Sequence, residues 1–107
     1  MKFPFKKAEE YATEDTVETY LRKRVKVLRG LCIKLNPFGY AGIPDRLVLL
    51  PGGIVAFMEL KRPVGGRFEP LQERWHGKLR QLGFRVYVCN TKASVDAALE
   101  ELHAATR

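Results

Sequence analysis

The chain has 107 residues, 46% of them apolar, with six Phe, four Tyr and one Trp; this suffices for one hydrophobic core and excludes a disordered chain. Nineteen Lys and Arg against twelve Asp and Glu leave a formal charge of +7, which favours an anionic partner, nucleic acid foremost. The apolar runs are too short to span a bilayer and the N-terminal stretch lacks a signal-peptide core, so neither a membrane protein nor an exported one is expected.

The lead-in from Met1 to Ala12 carries no clear pattern. From Thr13 to Arg29 the apolar positions Val17, Tyr20, Leu21, Val25 and Leu28 recur at helical spacing, with basic residues in the last turns and Gly30 as the stop. Leu31–Leu35 reads as a strand, and Asn36–Gly42 as a turn-rich loop. Asp45–Leu50 and Ile54–Lys61 are two strand-like runs joined by Pro51-Gly52-Gly53, the pattern of a hairpin. After a loop over Arg62–Glu69, Pro70–Leu82 predicts a helix with Pro at its first position and Gly83 beyond its end. Its buried stripe is expected to comprise Leu71, Trp75, Leu79 and Leu82. Phe84–Cys89 is a strand, and Ser94–His103 a terminal helix with Ser94 as N-cap. The order α-β-β-β-α-β-α over residues 1–107 describes a single α/β domain. Cys32 and Cys89 stand singly, without zinc-finger spacing to each other or to His76 and His103, and are expected to be small buried thiols of a reducing compartment.

The hairpin carries the chemistry. In a three-residue loop Leu50 pairs with Ile54, and the same register sets Asp45 opposite Glu59. Asp45, Glu59 and Lys61 then share one sheet face at the open end. Opposed Cβ atoms lie about 5 Å apart, where two ionised carboxylates repel by roughly 3 kcal/mol at an effective dielectric near 20. Either a hard cation such as Mg²⁺ or Mn²⁺ offsets this repulsion, or Lys61 and Arg46 do so as an ordinary ion-pair cluster. In the first case the Leu60 backbone carbonyl is a further ligand, and Lys61 is set to orient or deprotonate an attacking water.

Other residues gather around this pair in sequence. Glu18 in the first helix could add a third acid, with Glu14 one turn earlier as its rival; a capping box from Asp15 and an i, i+4 pair with Arg22 are competing roles for Glu18. Gln72, in the first turn of the second helix, could hold a water or a phosphate. Arg46, Arg62, Arg67, Arg74 and Lys78 are candidate phosphate contacts, or a solvated basic face. The run Arg22-Lys23-Arg24-Val25-Lys26 has the same two readings. His76 has no acid partner apparent in sequence and is expected at or near the surface.

Gly42-Ile43-Pro44-Asp45-Arg46, then Glu59-Leu60-Lys61-Arg62-Pro63, then Pro70-Leu71-Gln72 together resemble the VRR-NUC family of the PD-(D/E)XK nuclease superfamily, over roughly Asp15 to Ala98. The resemblance implies a restriction-endonuclease-like core, a mixed β-sheet flanked by helices. It further implies a metal site of Asp45, Glu59 and the Leu60 carbonyl, action of Lys61 on the attacking water, support from Gln72, and Glu18 rather than Glu14 as the first acid. Stand-alone phage or bacterial members resemble Holliday-junction resolvases acting as homodimers, which implies a Mg²⁺- or Mn²⁺-dependent endonuclease of branched DNA in the cytoplasm of a bacterial or phage-infected cell. A nuclease of flaps, nicks or ends, and a catalytically silent DNA-binding module, are the alternatives.

Overall fold

A computed structural model describes residues 14–35, 41–61 and 69–105 of the chain. Its elements run α1 (Glu14–Val27), β1 (Leu31–Lys34), β2 (Arg46–Leu50), β3 (Ile54–Leu60), α2 (Pro70–Gln81), β4 (Arg85–Cys89) and α3 (Lys92–Ala104). The four strands form one sheet in the order β1-β2-β3-β4. The first three pair antiparallel, and β4 joins β3 in parallel after the α2 crossover. This is the mixed sheet flanked by helices that the resemblance implies.

Alternation along β2 and β3 sorts the side chains onto two faces. Val48, Leu50, Ala56, Met58 and Leu60 pack with Val17, Leu21 and Val25 of α1 and with Val95, Ala98, Leu99 and Leu102 of α3. The Tyr20 hydroxyl donates to Asp96 Oδ1 at 2.7 Å and so ties the two helices with a half-buried polar bond. The opposite face is covered in part by α2, whose buried residues are His76 and Leu79.

Hairpin register follows the expectation from the loop. Leu50 pairs with Ile54 and Arg46 with Met58, and both loop glycines take positive φ, 91° at Gly52 and 76° at Gly53.

Three local expectations are corrected. Gly30 does not supply the left-handed residue that ends α1; Arg29 does, at φ 62°. The Gly30 N–H bonds to the Val25 carbonyl and the Arg29 N–H to that of Lys26, the paired closure of a Schellman turn. Gly30 is needed for a different reason: a Cβ there would lie 2.4 Å from the Leu49 carbonyl oxygen. The N-cap of α3 is Thr91, not Ser94. Thr91 has extended backbone and its hydroxyl accepts from the Ser94 N–H, while Ser94 Oγ accepts from the Thr91 N–H.

The third correction concerns α2, which is rotated from the expected stripe. Leu82 is 73% exposed and Leu71 41%, whereas His76 is fully buried. The face turned to the sheet is set by polar residues that meet β3.

Gly42 ties the start of β2 to α2. It has φ +92°, and an added Cβ would sit 2.8 Å from the Leu71 carbonyl oxygen. Gly42→Ala is therefore expected to destabilise the fold by about 2 kcal/mol or more, from left-handed backbone strain plus backbone overlap. A urea unfolding midpoint lowered relative to the parent is the check.

Candidate active site

Asp45 lies one residue before β2, and its carbonyl accepts from the Leu35 N–H at 2.9 Å, extending the β1 pairing. Its side chain crosses to β3, where Oδ2 accepts from the Leu60 N–H at 2.8 Å. Continuing the register by one step puts Asp45 across from Glu59. Both point away from the face that holds Met58 and Leu60, toward α2. Glu59 is only 2% exposed.

α2 meets Glu59 with two residues one turn apart. Gln72 Nε2 donates to Glu59 Oε2 at 3.0 Å, and Gln72 Oε1 accepts from Lys61 Nζ at 2.7 Å. The same Oε1 accepts from the Glu69 N–H, a capping-box contact that fixes the amide orientation as the helix begins. Lys61 Nζ lies 3.5 Å from Glu59 Oε2. His76 Nε2 lies 3.7 Å from Glu59 Oε1, beyond hydrogen-bond length. That Oε1 is buried and has no hydrogen-bond partner among the described residues.

These contacts set the charge state. Burial, and then the neighbouring Asp45, push the Glu59 carboxyl up to about 8, against an opposing pull from Lys61. Burial, helped by Arg80 and Lys61 and opposed by Asp45, lowers the His76 pKa. The site thus holds two closely placed acids that cannot readily both ionise without an added positive charge.

Of the expected site residues, the structure brings together Asp45, Glu59, Lys61 and Gln72. Glu18 sits elsewhere: it accepts a hydrogen bond from Arg46 Nη2 in an ion pair. Arg46 alternates with Asp45 onto the α1 side of the sheet and is 5% exposed. Among the described residues no three His, Cys, Asp or Glu side chains come together as a metal-holding group. Arg46, expected at a phosphate, is instead committed to Glu18 inside the fold. Glu14 has no described side chain, and Arg62 and Arg67 lie outside the described residues. Arg74 and Lys78 are exposed along α2.

His76 is the residue that sequence reasoning missed. Its signal was the i, i+4 spacing from Gln72, which puts both on one helix face.

Replacing Gln72 by Ala removes its bonds to Glu59, to Lys61 and to the Glu69 N–H at once. Loss of a group that orients such a site costs about 10- to 100-fold, so Gln72→Ala is expected to lower the site's activity by that factor and, with the capping contact to the Glu69 N–H gone, to cost about 1 kcal/mol of stability. Initial rates and urea melts on the same preparation separate the two effects.

The donor set fits a hard divalent cation. Two carboxylates face one another, one buried oxygen is unsatisfied among the described residues, and burial beside Asp45 raises the Glu59 pKa, as expected of an acid pair that lacks a counter-charge.

The family model for the VRR-NUC domain matches residues 5–93. "Putative nuclease p44" of Acyrthosiphon pisum secondary endosymbiont phage 1 is 39% identical over 79 residues, which cover 74% of this chain and 84% of that protein. A solved VRR-NUC domain superposes with a TM-score of 0.76 at 37% identity, covering 83% of this chain and 97% of its own. None of the described helices is long and apolar enough to cross a membrane.

Proposed function

The chain belongs to the VRR-NUC domain family, and from that premise we propose that it is a divalent-metal-dependent DNA endonuclease, selective for branched DNA and acting as a homodimer in the manner of a junction resolvase. The observation that carries the nuclease reading is the Asp45–Glu59 pair, two facing acids of which one buried oxygen has no hydrogen-bond partner among the described residues. Asp45, Glu59 and the Leu60 carbonyl would hold Mg²⁺ or Mn²⁺, which when bound would lower the pKa of water and neutralise charge on the phosphate.

The chain's own residues do the rest. With a cation bound, the Glu59 proton would pass to solvent and both carboxylates would serve as ligands. Gln72 holds Glu59 and Lys61 in fixed relation, its amide donating to one and accepting from the other. Lys61 presents its ammonium to the reacting oxygens. There it orients the attacking water or stabilises charge gathering on the phosphate. Arg74 and Lys78, one turn apart and exposed on α2, are suited to flanking phosphates and position the strand without reading its sequence.

The dimer follows from the substrate. Resolving a four-way junction takes two paired cuts, and a two-fold pair of chains supplies two sites in fixed relation. One Asp45–Glu59 pair per chain supplies only one.

Labelled four-way junction, flap and linear duplex, each incubated with the protein in Mn²⁺, test this reading. Paired symmetric nicks in the junction are the expected result. Cleavage confined to flaps, nicks or ends would replace junction selectivity with the other nuclease activity, and binding without any cutting would identify a silent DNA-binding module.

A further inference from the structure

A basic groove lies on the other side of the sheet. Between α1 and edge strand β1 runs a groove of about 500 Å³ lined by the cations Arg22, Lys23 and Lys26 and by Val25, Gly30 and Cys32. The three cations are exposed, and among the described residues no carboxylate forms an ion pair with any of them. The groove holds no acidic side chain and no aromatic one among its described lining. Single-strand channels combine cationic walls with aromatic rings on which bases stack. A lining of cations and small apolar residues, without such rings, suits the sugar–phosphate backbone instead, with phosphates at the cations and deoxyribose against the apolar residues.

Position gives the groove its meaning. It opens on the α1 side, whereas Asp45 and Glu59 face α2. Cys32 pairs with Val48, three residues along β2 from Asp45, or roughly 10 Å at about 3.3 Å per residue. DNA is stiff over such lengths, and a duplex lying on one side of the sheet cannot turn into a groove on the other side without a severe bend. A branched DNA can do so, because its arms diverge at one point.

We infer that the α1–β1 groove binds the backbone of a second arm of branched DNA through Arg22, Lys23 and Lys26 while the first arm lies at Asp45 and Glu59. This rests on the nuclease reading and gives it a source of substrate selectivity. Because these cations lie away from the reacting residues, the groove contributes to binding and leaves the hydrolytic groups untouched.

The test compares the parent with an Arg22→Ala/Lys23→Ala/Lys26→Ala triple variant, and with Lys26→Glu alone should the triple variant fold poorly. Affinity for a four-way junction and for a linear duplex of equal length is measured against salt in EDTA, and thermal melts check folding. For the triple variant, junction affinity is expected to fall about 10-fold or more. The slope of log affinity against log salt should lose about 0.9 per phosphate contact removed, roughly two to three in all. Linear duplex affinity should change less than about threefold. Unchanged junction binding would overturn the inference, and so would an equal loss on the linear duplex, which would mark a general phosphate surface. If the parent cuts DNA while the triple variant binds junctions normally, the groove fails and the nuclease reading stands. If the parent neither binds nor cuts any DNA, both fail.

Discussion

An Asp45→Asn protein is expected to fold and to bind DNA with the parent's salt dependence, yet to cut at less than about a thousandth of the parental rate. The substitution suits the structure because the bond from the Leu60 N–H to Oδ2 at 2.8 Å can be kept by an amide oxygen. What is lost is a negative charge facing Glu59. A bound cation stabilises developing charge by several kcal/mol, and about 1.4 kcal/mol corresponds to each tenfold in rate, so losing a ligand charge accounts for a thousandfold effect. Lys61→Ala should lose about 10²- to 10⁴-fold, the usual range for one proton-transferring group, while still binding metal. Single-turnover rates in Mn²⁺ with a junction substrate, beside binding curves in EDTA, give both quantities. A Lys61→Ala protein cutting at the parental rate would remove that residue from the mechanism.

The second large effect is on stability against pH. In the metal-free protein the Glu59 carboxyl is raised to about 8, first by burial and then by Asp45. Below its ordinary value near 4.5 the group is protonated in both folded and unfolded chains and contributes nothing. Between about pH 4.5 and 8 the unfolded chain gives up the proton and the folded chain keeps it, so the folded state loses ground as pH rises. At about 1.4 kcal/mol per pKa unit the loss is on the order of a few kcal/mol. Glu59→Gln should abolish this component, making the variant more stable than the parent at pH 8 and nearly equal to it near pH 4.5. Urea melts of both proteins in EDTA across that range measure the difference. Added Mn²⁺ should restore the parent at pH 8, by about 2.7 kcal/mol at one hundred times its Kd, and leave the variant unaffected. Parallel pH profiles for the two proteins would show that Glu59 does not hold a proton in the folded state.

The features legible in the sequence were those with a short-range cause. The turn residues Pro51-Gly52-Gly53 and the period-two alternation on either side dictate one register, and with it the meeting of Asp45 and Glu59. Gly83 and Pro70 likewise marked the ends of the second helix, because each acts on its own backbone. The rotation of α2 depends instead on what lies across from it. By hydrophobicity Leu82 should be inside and His76 outside, yet Gln72 and His76 face Glu59, and the helix turns to bring them there. The ion pair of Glu18 with Arg46 was hidden for a similar reason. Alternation puts Arg46 on the α1 side, and only the packing of α1 against that side shows that Glu18 meets an arginine rather than the other acids. Arg29 in a left-handed conformation reads against propensity; it is tolerated because Gly30 is required next door, where the chain passes the Leu49 carbonyl with no room for a Cβ.

Titration calorimetry with Mn²⁺ at pH 7, run in two buffers of different ionisation enthalpy, bears most directly on the pairing of Asp45 and Glu59 around a cation. The parent should take up the metal and release close to one proton as Glu59 ionises, and Asp45→Asn should lose most of the affinity. No heat of uptake by the parent, or equal uptake by Asp45→Asn, would contradict the assignment of these two acids to a metal.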